Sequence, residues 1–252
     1  MYRLPRLPFW ALCTGLGCTA LTAAPVASIK YAPVAAWSAG EERLFQGEST
    51  LLASVEMDLV TVAAGQTMPG TTNQESLWLV QRGEFLVELG DDAERVVGPG
   101  SIVLVMPGDA CRLTNHGDES GTVYRLRYQS KAPVNRARGG EGGGSLVVDF
   151  GALEFQPHDR GGLRSYFDRP TAMTSNFEMH VTTLNRGITS HPPHTHTAEE
   201  IILMIHGEAE ELINGEPYAL KTGELVFLDA MVPHGIRNTG DGTCMYFAFQ
   251  WR

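Results

Sequence analysis

One stretch of this chain is written twice. FQGESTLLASVEMDLVTVAAGQTMPG, beginning at Phe45, matches FDRPTAMTSNFEMHVTTLNRGITSHPPH, beginning at Phe167, with Glu56-Met57 opposite Glu178-Met179 and Gly65 opposite Gly187. The match continues with Glu75 and Gly83 opposite Glu199 and Gly207, then Gly100, Asn115 and Gly117 opposite Gly223, Asn238 and Gly240. The offset drifts only between 122 and 124 residues, which leaves room for a longer HPPH loop in the second copy and one residue in a hairpin. Two copies of one domain are implied, each large enough to bury its own core.

Each copy reads as short strands punctuated by turns. Apolar runs such as SLWLVQRGEFLVEL, SIVLVMPG, EIILMIHGEAEELI and ELVFLDAMVPH are separated by GDD, GPG, ING and TGDGT, the turn chemistry of an antiparallel all-β barrel. Asn214-Gly215 is the strongest single hairpin signal. The first barrel is expected over 41–130 and the second over 146–252. Between them KAPVNRARGGEGGGS, residues 131–145, is rich in glycine and charge without an apolar period, and reads as a linker. The arm that follows carries Phe150, Phe155, Tyr166 and Phe167 and is expected to lie across a sheet edge, of the other barrel or of a second subunit.

The start of the chain has a different character. Arg3 and Arg6 precede FWALCTGLGCTALTAA, too short for a comfortable membrane span and followed by small residues, so residues 1–27 read as a secretory signal and the mature chain as exported, periplasmic or extracellular. Cleavage after Ala24 would leave Pro25 next in line, which makes a cut near Ala27 an equal candidate. Cys18 ends GLGC, a poor lipoprotein box because Gly15 stands where leucine is usual. The formal net charge of −10 excludes a nucleic-acid partner, and beyond the signal no segment is long and apolar enough to span a bilayer. With Cys13 and Cys18 in the signal, Cys111 and Cys244 remain, one per domain and expected to stay unpaired.

Chemistry concentrates in the second copy. In HPPHTHTAEE, His194, His196 and Glu200 share strand parity and can enter one cavity if the strand stays regular; the same parity prefers Glu200 to Glu199. His234 must arrive from another strand. Three imidazoles and a carboxylate suit one first-row divalent ion, Mn, Fe, Co, Ni, Cu or Zn, with two octahedral positions left for water or substrate. His191, in the same loop, either supports a ligand, meets substrate or is a plain loop residue. In the first copy the equivalent positions are Gly70, Thr72, Ser76 and Cys111, which cannot replace that set.

These residues closely resemble the cupin family. Its first motif is matched by Gly187, His194, His196, Glu200 and Gly207, and its second by Gly223, His234 and Asn238. Six residues rather than five separate Gly187 from His194, and Asp229 and Met231 stand where the second motif often has proline and glycine. The resemblance implies two tandem jelly-roll barrels, a bicupin, with the metal at the mouth of the second. Further chemistry then falls to His191, His180 and Glu178 as general acid or base, with Arg237 or Tyr246 as orienting groups, in an interior lined by Ile202, Met204, Phe227 and Phe249. Exported bicupins that look like oxalate decarboxylases and quercetin dioxygenases use the same ligand types. The order of parts is also similar to ureidoglycine aminohydrolases, manganese enzymes with Glu, His, His and Gln where this chain has His194, His196, Glu200 and His234. Two readings stay open: a metalloenzyme acting on a small oxygen-rich molecule (sugar acid, dicarboxylate or phenolic), and a non-catalytic binding or storage module with a structural metal. Cupins commonly associate through sheet edges, so a homo-oligomer is open too, although two fused barrels already imitate a dimer.

Overall fold

The computed structural model describes residues 28–31, 40–70, 73–92 and 94–252. The leader read over 1–27, with Cys13 and Cys18, lies outside the described residues, as does Thr72. Each half forms a jelly roll of one large and one small antiparallel sheet. In the first half the large sheet runs in the order Leu146–Val148, Ile102–Val105, Glu75–Arg82, Gly121–Ser130, Leu52–Val62 and Glu41–Gly47. The second repeats it as Ser28–Tyr31, Glu224–Leu228, Glu199–His206, Cys244–Trp251, Phe177–Leu184, Gly161–Arg169 and Gln156–His158. Opposing small sheets are built on Phe85–Leu89 with Cys111–Asn115 in the first half, and on Glu208–Ile213 with His234–Asn238 in the second.

The two halves exchange edge strands. Leu146–Val148 pairs with Ile102–Val105 of the first barrel, and Ser28–Tyr31 pairs with Glu224–Leu228 of the second. Each outermost large-sheet strand is thereby covered by a segment from outside its own repeat, which removes an open edge. Leu146–Val148, counted with the second barrel but expected to lie across a sheet edge, pairs with the edge of the first barrel's sheet. The rest of the arm follows it: Phe150 packs where a side chain on Gly100 would stand, and Tyr166 Oη donates to the Gly100 carbonyl at 2.6 Å.

Both faces of each large sheet are buried, which explains why EIILMIH shows no clean alternation. One face fills its own barrel. The other joins Leu77, Leu79, Leu126 and Tyr128 to Ile201, Leu203, Phe247 and Trp251 in a single inter-barrel core. Phe227 and Phe249 belong to that core, so the expectation that they line the second barrel's interior is corrected; their odd-numbered strand positions put them on the outer face, whereas Ile202 and Met204 do point inward.

The repeat places a buried carboxylate on each side of the junction. Glu75 accepts hydrogen bonds from Tyr128 Oη and, across the interface, from the Met173 amide at 3.0 Å. Its equivalent, Glu199, accepts from Trp251 Nε1 at 3.0 Å and, across the interface, from Ser49 Oγ and the Leu51 amide, both at 2.6 Å. Burial raises both carboxyls, Glu199 to about 7, against the donors that favour ionisation.

The segment read as a linker is ordered. Arg136–Glu141 forms a short helix capped by the Asn135 side chain, which accepts from the Arg138 amide at 3.0 Å. Its glycines are used rather than tolerated: Gly139 lies so close to Ala172 that a Cβ would meet it at 3.0 Å. Asn214-Gly215 turns a two-residue hairpin, both with positive φ, as its sequence demands. Among the described residues no helix is long and apolar enough to cross a membrane.

Candidate metal centre

His194, His196 and His234 meet at the mouth of the second barrel, their nearest nitrogens all within 4.8 Å of one another, about twice a metal–nitrogen bond of ~2.1 Å. Glu200 projects among them as the second residue of the Glu199–His206 strand, its Oε2 lying 3.2 Å from both His196 Nε2 and His234 Nε2. Gln250, opposite Glu200 in the sheet, donates to the other carboxylate oxygen at 3.0 Å. The expected regular strand from His194 to Glu200 is not present. Residues 191–198 form a loop in which His194 makes an isolated bridge to His234 before the strand begins at Glu199. Convergence comes instead from cross-connections: His194 and His234 exchange both backbone hydrogen bonds at 3.0 Å, and Met231 donates to the His196 carbonyl at 2.8 Å.

The ring tautomers follow from geometry. His196 Nδ1 faces the Ala198 carbonyl at 2.9 Å and His234 Nδ1 faces the Val232 carbonyl at 2.8 Å. A carbonyl only accepts, so each Nδ1 donates and each ring turns its Nε2 toward Glu200, where a proton makes it a donor to the carboxylate and a metal would take its lone pair. Burial opposes ionisation of Glu200, but the hydrogen bonds of His196 and His234 outweigh it and hold the carboxyl far below its usual range. The Glu200 carboxylate raises His196, whereas burial and then the neighbouring His191, His234 and His196 rings lower His194. Lone pairs and a carboxylate oxygen aimed at one point require a cation between them, a proton or a metal. The donor set fits a metal.

The remaining sequence candidates divide. His191 stacks edge-on against His194 at 4.1 Å between centroids, beside the cluster. Tyr246 is buried in the barrel interior, and its hydroxyl bonds Ser190 and Thr182. His180 also faces inward, with Nδ1 3.0 Å from Glu178 Oε1. Arg237 is corrected: it alternates with the inward-facing His234, Ile236 and Asn238, and so points to solvent opposite Glu210. One residue was missed. Glu211, only 1% exposed, sits inside the barrel with Oε2 lacking any hydrogen-bond partner; burial, then the charge of Glu200, raises its carboxyl well above the ordinary range although the Gly235 amide donates to it. Its inward alternation with Ala209 and Ile213 was the available signal.

In the first barrel the equivalent place is filled. Gly70 stands where His194 stands, and a Cβ added there would lie 2.2 Å from the Trp78 indole. Trp78, Val80, Phe85, Val87 and Cys111 form an apolar interior in which Ser76 replaces Glu200. Burial pushes the Cys111 thiol up to about 12, consistent with an inert small hydrophobe. Cys111 and Cys244 are both buried free thiols.

Residues 180–249 match the family model of the cupin domain. A search of curated proteins finds no match. Solved structures share the whole two-barrel arrangement at low identity. A protein described as glyoxylate-induced, from Pseudomonas aeruginosa, aligns with TM-score 0.67 and 15% identity, covering 100% of this chain and 96% of its own. Oxalate decarboxylase from Lactobacillus farciminis aligns with TM-score 0.62 and 11% identity over 79% of this chain and 77% of its own. Salicylate 1,2-dioxygenase from Pseudaminobacter salicylatoxidans does so with TM-score 0.58 and 13% identity over 78% and 70%.

Proposed function

We propose, on the premise that this chain is a two-barrel member of the cupin superfamily, that its second barrel is the site of a divalent-metal-dependent enzyme acting on a small oxygen-rich substrate. The ligands are His194, His196, Glu200 and His234, and the metal is a first-row ion among Mn, Fe, Co, Ni, Cu and Zn. One observation carries the reading: two Nε2 atoms, fixed by the carbonyls behind the rings, face the same Glu200 oxygen at 3.2 Å, with His194 beside them. A bound ion would serve as a Lewis acid toward substrate oxygens.

The chain's own residues prepare that chemistry. Gln250 holds Glu200 in place. Ile202, Met204, Ile213 and Ile236 keep the deeper interior dry, which strengthens the charges at the mouth. Glu211, its carboxyl raised by burial and by the Glu200 charge, lies on the inner wall. His194 is exposed, so the centre is open to solvent on one side, as suits an enzyme better than a closed structural site. The fold-level company of proteins named oxalate decarboxylase and salicylate 1,2-dioxygenase supports the same choice. The leader read in residues 1–27 would carry this centre out of the cytoplasm.

Metal analysis of protein purified without added salts tests the reading. One equivalent of a transition ion per chain is expected, falling to background in His196→Ala with only a modest loss of thermal stability. Wild-type protein that neither retains nor takes up a stoichiometric ion would overturn it.

A further inference from the structure

A polar cavity of about 320 Å³ is lined by His158, Asp159, Arg160, Leu163, His180, Thr182 and Ser190. It lies on the inward face of the large sheet, where Leu163 pairs with Thr182, and His180 with Ala248. Two connections tie it to the centre. Arg160 Nη1 donates to the Ser190 carbonyl, next to His191, and Tyr246 bonds both Ser190 and Thr182.

The first barrel is built differently at the equivalent positions. There Asp58 is gripped by Arg43, Arg125 and Arg127, and Glu56 by Arg43 and Arg127, with Glu41 on Arg125. Register assigns these six positions, in the order Glu41, Arg43, Glu56, Asp58, Arg125 and Arg127, to Leu163, Ser165, Glu178, His180, Ala248 and Gln250. Three arginines have become serine, alanine and glutamine. Of the six equivalent positions in the second barrel, Leu163 and His180 line the cavity.

The donors left in that opening are specific. His158 Nδ1 accepts from the Arg160 amide at 3.2 Å, so its proton is on Nε2, which is a donor. The Arg160 guanidinium has further N–H groups beyond the one given to Ser190, in the planar fork that suits a carboxylate. His180 is the reverse: its Nδ1 donates to the Glu178 carboxylate, which leaves Nε2 for a ligand hydroxyl, a group that can both donate and accept. A ligand that satisfies all three presents a carboxylate to Arg160 and His158 and a hydroxyl to His180.

We infer that this cavity receives the carboxylate end of a polyhydroxy acid, an aldonate-like molecule whose other oxygens reach the histidine cluster. The inference rests on the enzyme reading above and names its substrate class. Gluconate, sorbitol and adipate separate the contributions: acid with hydroxyls, hydroxyls alone, acid groups alone. Binding is followed through the imidazole NMR signals of His158 and His180, in metal-loaded and in EDTA-treated full-length protein. Gluconate is expected to shift both signals and to bind at least tenfold more tightly than sorbitol or adipate. Arg160→Gln should weaken gluconate at least tenfold, and Arg160→Lys less. Equal binding of sorbitol, or an Arg160→Gln affinity within twofold of wild type, would overturn the subsite. Arg160-dependent binding in protein that takes up no metal would uphold the subsite and sink only the metal reading. A stoichiometric ion without gluconate binding would do the opposite.

Discussion

The two barrels share a backbone and differ in what fills it. In the first, Trp78 occupies the space of a ligand, an apolar cluster fills the interior, and an arginine–carboxylate network closes the mouth. In the second, the same positions hold isoleucine, histidines, carboxylates and alanine, and the mouth stays open. What both retain is architectural. Asn115 and Asn238 each bond the carbonyls of neighbouring turns and the amide two residues on. Gly83 and Gly207 both have positive φ and lie against backbone that a Cβ would meet at about 3 Å. Motif residues that survive in the copy lacking the histidines are therefore parts of the barrel. Those lost from it are parts of the site.

That contrast can be broken most severely at Trp78. Trp78→Ala should cost about 4 kcal/mol by leaving a large cavity in the first barrel, read as a fall in melting temperature, with the metal content of the second barrel unchanged. Loss of the metal as well would show that the barrels are not separable. Next is the carboxylate at the junction. Because the folded carboxyl of Glu199 is raised to about 7, its contribution is complete below pH 4.5 and is lost as pH rises toward 7, about 3 kcal/mol in all. Glu199→Gln should flatten that part of a urea-stability profile; an unchanged slope would assign it elsewhere.

The ion network at the first mouth should respond in the opposite sense. Burial opposes ionisation of Asp58, but its arginine partners hold the carboxyl below 3.8, so its contribution is present above that pH and lost as pH falls through the folded value. Asp58→Asn should cost about 2 kcal/mol, discounted because Arg43 is partly exposed, and should remove the acid limb of the profile. Equal stability of the two proteins at neutral pH would show that the network adds nothing to closure. The smallest effect is at Met231, a non-glycine residue at φ 64° that holds the His196 carbonyl. Met231→Gly should stabilise by up to about 1 kcal/mol without altering metal binding; a loss of stability would mean that the methionine side chain contributes more than its backbone costs.

Much of this was legible in the chain. The repeat announced two barrels, and parity with family spacing singled out His194, His196, Glu200 and His234. Parity also carried information left unused: Arg237 is out of phase with His234, and Glu211 is in phase with Ala209 and Ile213. The regular strand expected from His194 to Glu200 is instead a loop with one bridge, because His194 pairs with His234 across the barrel mouth while the large-sheet strand begins only at Glu199. Inward and outward faces of the large sheet could not be told apart by hydropathy, since both are buried, and so Phe227 and Phe249 were placed on the wrong one.

Sequence alone determined the repeated unit, the turn positions and the residue types able to ligate, because these depend on local backbone chemistry and on identities read in register. Tertiary structure decided which ring nitrogens face carbonyls and which face Glu200, that Trp78 closes one copy, and that the arginine network of the first copy has no counterpart in the second. Those outcomes depend on where side chains from strands far apart in the chain come to share one volume, and volume is a property of the packed molecule rather than of any segment.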